Sequence, residues 1–145
     1  MKNAILLLVI GCCCSYASFC QTQSQFNYQE GDAAKRAERK MDTVYKKILL
    51  LYAKDTLFIK NLKLSQKIWL QYSNTQLKAM FPDYGPGYYG SMFSSCVTMY
   101  SKKLTEQRIH ELELWLIGNE EGEGCDGSIK TKSELPAYTS YKPSR

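Results

Sequence analysis

The side chains able to carry chemistry are few. The one histidine, His110, has no His, Cys or carboxylate partner at the spacing a zinc site requires. Cys96 and His110 fall on one helix, about 21 Å apart in rise, too far for a Cys–His pair within the chain. Glu111 and Glu113 are next-but-one neighbours on that helix and point apart. A Gly-x-Ser-x-Gly elbow is absent. The reading is a protein with no catalytic residue, no metal and no cofactor, a degenerate enzyme being the weakest alternative. The remaining chemistry is aromatic and cationic. Tyr84, Tyr88 and Tyr89 crowd the segment Phe81-Pro82-Asp83-Tyr84-Gly85-Pro86-Gly87-Tyr88-Tyr89-Gly90. Pro and Gly punctuate it as a loop. Tyrosine offers rigid contact area with a polar tip, so the three suit a recognition surface. The competing reading folds them back onto the end of a bundle. Arg108 lies on an apolar line. The simpler account runs its stem along the core with the head reaching water. The sharper one holds the guanidinium on a fixed acceptor across the interface, a role that suits the amide oxygen of Gln66.

These groups need elements to position them, and the patterning is helical throughout. Ala34, Ala37, Met41, Val44, Ile48 and Leu51 recur at three- and four-residue steps, with Tyr45 and Tyr52 alongside. A first helix is expected from an Asp32 cap to about Ala53. Asp55-Thr56 offers the next cap, and a second helix runs to about Met80, closed by Pro82. Its centre, Leu62 to Tyr72, puts Leu62, Ser65, Trp69 and Tyr72 on one line, with Leu64 and Ile68 beside it. A buried Trp dominates its surroundings, so this helix is expected to be the middle one that organises the others. Ser91 is the expected cap of a third helix to about Ile117, with Phe93, Val97, Tyr100, Leu104, Arg108 and Trp115 on one face and Leu112 adding to it. Gly118 stops it. The fold class predicted is all-α, a small antiparallel three-helix bundle of long helices with a flexible N-terminal leader and C-terminal tail. The boundaries are 1–20 for a signal segment, 21–31 for the leader, 32–117 for the helical domain and 118–145 for the tail.

The beginning of the chain is set apart. Lys2 precedes the apolar run Ala4 to Ile10, too short to span a bilayer, which takes ~20 residues. It reads as an export signal. Either cleavage precedes Gln21, or Val9-Ile10-Gly11-Cys12 acts as a lipobox and Cys12 carries lipid. The expected location is therefore periplasmic or secreted, with a lipid anchor if Cys12 is modified and no transmembrane helix. Of six cysteines, four lie in or beside this signal. Export permits a disulfide between Cys96 and Cys125. The rise from Cys96 to the helix end, about 30 Å, exceeds the ~27 Å that the returning tail can span. The expectation is a buried Cys96 and an exposed Cys125.

The formal charge is +5. From Ala33 to Lys63 nine Lys/Arg stand against three acids, and from Gly118 to Ser128 four acids stand against no base. A basic surface suits anionic partners. Nucleic acid is not expected, since its recognition signatures are missing. The acidic tail is expected to touch the basic first helix.

Gln66-Lys67-Ile68-Trp69-Leu70-Gln71-Tyr72, then Gly90-Ser91-Met92, then Leu104-Thr105-Glu106-Gln107-Arg108 with Glu111-Leu112, resembles the LprI-like lysozyme-inhibitor family. Met41-Asp42 with Tyr45 is similar to that family's opening motif. Two departures stand out. Ser73 and Asn74 replace a basic residue followed by Asp, and Leu77 and Tyr100 replace the cysteines of the family's cross-link. The expectation is that an apolar Leu77–Tyr100 pair substitutes for that link. The resemblance implies an exported helical protein that binds rather than catalyses, with Tyr45, Gln66, Trp69, Tyr72, Gly90, Ser91, Leu104 and Arg108 as motif residues of structural role. It implies lysozyme, or another envelope protein, as partner. Many lysozymes are basic, as this chain is, so long-range attraction is unfavourable and contact needs a local aromatic or acidic patch. Tyr84, Tyr88 and Tyr89 are the expected contacts, occluding the enzyme's cleft. The alternative is a non-catalytic envelope scaffold that lays its basic first helix on anionic lipid or cell-wall polymer.

Overall fold

The computed structural model describes residues 23–122 and 124–135. The export segment 1–20, Cys12 and the Pro136 and Pro143 of the tail lie outside them. Three helices make up the fold: α1 (Gln23–Leu51), α2 (Thr56–Met80) and α3 (Phe93–Ile117). No described residue belongs to a strand, apart from one isolated bridge between Asn119 and Thr131.

The direction of the helices follows from the pairs between them. Gln23 meets Ser91, Glu30 meets Lys102 and Lys40 meets Glu113, so α1 and α3 run parallel. Gln76 meets Tyr100, Gln66 meets Arg108 and Phe58 meets Trp115, so α2 runs antiparallel to α3. The three-helix expectation holds.

The core is built at one end. Ala37, Val44, Ile48 and Tyr52 from the first helix and its C-terminal turn meet Ile109, Leu112 and Leu116 of α3. Phe58 and Leu62 close the third side. Fully burying one such side chain contributes about 1.5–3 kcal/mol. α1 and α3 therefore share most of this burial, and α2 adds its first two turns. Between α1 and α2 the break is real. The Asp55 carboxylate accepts the Phe58 backbone N–H at 2.9 Å, satisfying a donor that the first turn leaves open.

Four expectations are corrected. First, α1 begins at Gln23, not at an Asp32 cap, and residues 23–31 of the expected leader are helical. What holds these two and a half turns is polar. Gln23 Nε2 donates to the Ser91 carbonyl at 2.8 Å, Asn27 bonds Ser95, and Glu30 pairs with Lys102 at 2.9 Å. Those three residues follow the helical spacing, but a search for apolar periodicity passes over them. Second, α3 starts at Phe93 with Met92 as the capping position and no side-chain cap; the Ser91 carbonyl serves α1 instead.

Third, α2 is not the organiser. Trp69 is half-buried, and Leu64, Ile68 and Tyr72 are each more than half exposed. The apolar stripe of α2 is wider than the arc that meets the bundle, and only its inner arc is covered. Fourth, residues 118–122 and 124–135 of the expected tail fold back. Gly118 turns the chain at φ +70°, where a Cβ would lie 2.6 Å from Leu135 Cδ1 and 2.9 Å from the Lys130 carbonyl oxygen. Only glycine fits both the angle and the space. Asn119 N–H then donates to the Lys130 carbonyl at 3.1 Å, and Lys132 N–H to the Asn119 carbonyl at 2.9 Å. A short 3-10 turn, Lys132–Glu134, follows, and Leu135 is buried. Two acids of this segment stay within it. Glu120 pairs with Lys132, and Glu121 accepts from Ser133 at 3.1 Å, rather than reaching α1.

Candidate functional site

The tyrosine loop closes the end of the bundle where α2 hands over to α3. α2 stops because Pro82 supplies no N–H and disfavours helix in the residue before it. Gly85 and Gly87 then adopt φ of +101° and +80°, which carries the chain round. The Asp83 side chain accepts the Gly85 backbone N–H at 3.1 Å and fixes the turn. Tyr89 folds inward. Its ring stacks on Phe93 at 4.5 Å with 11° between the planes, and its hydroxyl donates to the Pro82 carbonyl at 2.8 Å. Phe81 meets Tyr89, Phe93 and Tyr100 edge-on at 5.8–6.1 Å. The phenol of Tyr89 is pushed above its ordinary pKa by loss of solvation first, then by neighbouring Tyr84, Tyr88 and Asp83.

Tyr84 and Tyr88 sit on that platform. Their rings lie 4.6 Å apart, and each touches Tyr89, yet they are 62% and 64% exposed. Tyr89 thus folds back onto the bundle end, as one reading of the loop expected, while Tyr84 and Tyr88 stay exposed. Tyr89 is the anchor, and Tyr84 and Tyr88 are presented. Phe81, Pro82, Gly85 and Tyr89 line a cleft of about 500 Å³ beside them. Gly90 sits at the loop's exit with open space around it, and its carbonyl accepts the Phe93 N–H at 3.1 Å.

Three of the motif residues, Tyr45, Gln66 and Arg108, meet in a separate structure deeper in the bundle. Arg108 is 7% exposed. Its Nε donates to Gln66 Oε1 at 3.1 Å, Nη2 to Ser65 Oγ at 3.0 Å and Nη1 to Glu111 Oε2 at 2.8 Å. The sharper sequence account is the one observed, and the solvent-reaching account is corrected. The planar fork of Arg satisfies two α2 acceptors at once, which a point-like ammonium would not. Gln66 completes the tie by donating Nε2 to Met41 Sδ at 3.6 Å, so one amide links all three helices. Tyr45 lies against this knot. Burial raises its phenol pKa, and the Arg108 charge works against that rise. Leu104 is buried, whereas Trp69 is half-buried and Tyr72 is 52% exposed on the outer side of α2.

Other expected pairings differ. Tyr100 meets Phe81 at 6.0 Å and accepts a long 3.5 Å bond from Gln76, while Leu77 is only half-buried. Cys96 is exposed rather than buried, Cys125 is exposed as expected, and both are free thiols. Cys96 sits one position past buried Ser95, on the arc of α3 turned away from α1.

Two features carried no sequence signal of their kind. Glu113 is buried to 1% exposure and pairs with Lys40 at 2.8 Å, with His110 Nδ1 3.5 Å from its second oxygen. Glu111 and Glu113 do point apart, one toward Arg108 and the other toward Lys40. A shallow cleft of about 450 Å³ opens nearby between α1 and α3, with Arg36, Lys102, Glu106 and His110 on its walls. Tyr52 is the other. Its hydroxyl donates to the Trp115 carbonyl and accepts the Lys130 backbone N–H, each at 3.1 Å, while Lys130 Nζ reaches the Leu51 carbonyl. Burial lifts its phenol pKa, the Lys130 N–H lowers it and Glu134 raises it again. An unremarkable helix-end Tyr thereby becomes the post on which the C-terminal segment docks.

Among the described residues no group of three or more His, Cys, Asp or Glu is placed to hold a metal ion, and no helix is long and apolar enough to cross a membrane. What the site offers is surface: two ordered, exposed phenols with an acidic side chain beside them.

A family model described as Lysozyme inhibitor LprI matches residues 14–112, more than half of the chain. The chain belongs to that family. No curated protein and no solved structure matches it.

Proposed function

We propose that this chain is an exported lysozyme-inhibitor-like protein that acts by binding, without catalysis, and that Tyr84 and Tyr88 make the contact. Family membership supports the class of partner. The observation that supports the surface is the exposure of Tyr84 and Tyr88 on a platform held by Tyr89 and Phe93. A lysozyme cleft carries carboxyl groups flanking the scissile bond. Phenolic hydroxyls can donate to such carboxylates while their rings fill the groove. Bonds from Tyr89 to the Pro82 carbonyl and from the Gly85 N–H to Asp83 already hold the loop, which reduces the conformational freedom lost on contact. Asp83 adds a local acid on an otherwise basic protein, which eases approach to a basic enzyme.

The test is a lysis assay. Added protein should slow the clearing of cell walls by lysozyme, and Tyr84→Ala with Tyr88→Ala should weaken this by at least about tenfold, as expected of aromatic anchors. Tyr72→Ala should leave inhibition unchanged. Inhibition absent at high micromolar protein would overturn the reading. Export rests on Lys2 and the apolar run after it. Mass spectrometry of the protein from its native cell should find a chain beginning at Gln21 or at a lipidated Cys12.

A further inference from the structure

α2 is the least covered helix of the three, with only Phe58 and Leu62 buried. Successive residues turn by about 100° around a helix axis, which divides α2 into arcs. Phe58, Leu62, Gln66 and Trp69 share the arc toward the bundle. About a third of the way round the helix from it, Leu57, Leu64, Ile68 and Tyr72 form a ridge at steps of seven, four and four, with exposures of 68%, 55%, 53% and 52%. Along one flank of the ridge stand Lys60, Lys63, Lys67 and Lys78, all exposed. None of these four pairs with a carboxylate among the described residues, and α2 contains no Asp or Glu.

We propose that this outer face of α2 docks on the surface of an anionic lipid bilayer, with the ridge in the acyl boundary and the lysines among the headgroups. A helix lying in that interface needs an apolar strip and a cationic flank together. α2 has both on its free side. The ridge runs about 22 Å from Leu57 to Tyr72, so four apolar side chains enter at one depth when the helix lies flat. Each lysine near an anionic surface contributes about 1 kcal/mol of attraction. α1 is the more basic helix, but its apolar line is spent on the core, and it offers charge without a strip to insert. The anionic partner expected for the first helix is thus better matched by the second. A second copy of the chain fits less well, since α2 brings four cations and no carboxylate to such a contact. This surface is separate from the Tyr84 loop, and the lysozyme assay contains no lipid, so either proposal can fail alone.

The test uses the full chain with vesicles of phosphatidylcholine mixed with phosphatidylglycerol. With Trp69 and Trp115 replaced by Phe, the tryptophan introduced by Leu64→Trp should be quenched by brominated acyl chains, and the one introduced by Arg39→Trp on α1 should not. Lys60→Glu with Lys67→Glu, or Leu64→Glu with Ile68→Glu, should lower that quenching and the vesicle partitioning at least about tenfold. Lys35→Glu with Arg39→Glu should change it much less. No quenching at Leu64→Trp would overturn the proposal, as would α1 and α2 reversals of equal effect. A dimer in sedimentation that Leu64→Glu dissolves, with no quenching, would give the face to a second copy instead.

Discussion

Two aromatic clusters stand at opposite ends of the bundle. At the base, Tyr52 lies 4.7 Å from Phe58, which lies 5.6 Å from Trp115. At the far end, Tyr84 lies 4.6 Å from Tyr88, and Tyr89 lies 4.5 Å from Phe93. Ring spacing does not tell them apart. Cover does. Tyr52 is 2% exposed because Lys130, Leu135 and Ser128 close over that end, whereas Tyr84 and Tyr88 face outward. A ring gains most of its free energy from leaving water, and the pair geometry adds only about 0.5–1.5 kcal/mol. The base cluster therefore stabilises the fold. The loop cluster leaves its apolar surface open to solvent.

Breaking the base should have the largest effect. Tyr52→Ala removes a buried ring and the post for the C-terminal segment, and should cost about 3–5 kcal/mol in urea unfolding. A loss under about 1 kcal/mol would erase the distinction between the two ends. Next comes the knot that joins them. Arg108→Leu leaves the Gln66 and Ser65 acceptors on α2 without their donor and should cost about 2–3 kcal/mol. At the loop, Tyr84→Ala and Tyr88→Ala should each stay within about 0.5 kcal/mol of the parent. A larger loss there would make the loop a structural element like the base.

The smallest effect sharpens the base alone. Glu134 accepts the Thr131 backbone N–H at 2.8 Å and its hydroxyl at 3.0 Å, and both hold the carboxyl below its ordinary value of 4.5. Since the folded value is depressed, the stabilisation is present above pH 4.5 and is lost as the pH falls through the folded value. The Thr131 amide shift in NMR should titrate in that acid range.

Helix positions were legible from the chain, because apolar spacing and caps are local. α2 was read from its Asp55-Thr56 cap to its Pro82 stop, and α3 to its Gly118 stop, and the structure agrees at each. Gln66 as acceptor for Arg108 was also legible, through matching polar groups on facing lines. The Gln23–Asn27–Glu30 ladder was not, since its partners Ser91, Ser95 and Lys102 are remote in sequence and polar residues leave no hydrophobic period. The candidate site was half legible. Its composition marked Tyr84, Tyr88 and Tyr89 as a set, but nothing in their order said which would turn inward.

By itself, then, the chain determined three helices, both ends of α2, the stop of α3 and the presence of a tyrosine loop, because φ/ψ preference, capping and periodicity act over a few residues. Tertiary structure alone decided which apolar faces are covered. Trp69 and Trp115 are the same residue type on equally regular helices. Both are half-buried, but Trp115 packs on the core cluster beside Phe58 and donates to Ser128 of the returning segment, while Trp69 has no place in that cluster. Burial is a property of what arrives from elsewhere in the chain, and the arrival of Lys130 and Leu135 at the base, with nothing comparable over Tyr84 and Tyr88, is what made one aromatic cluster a core and the other a surface.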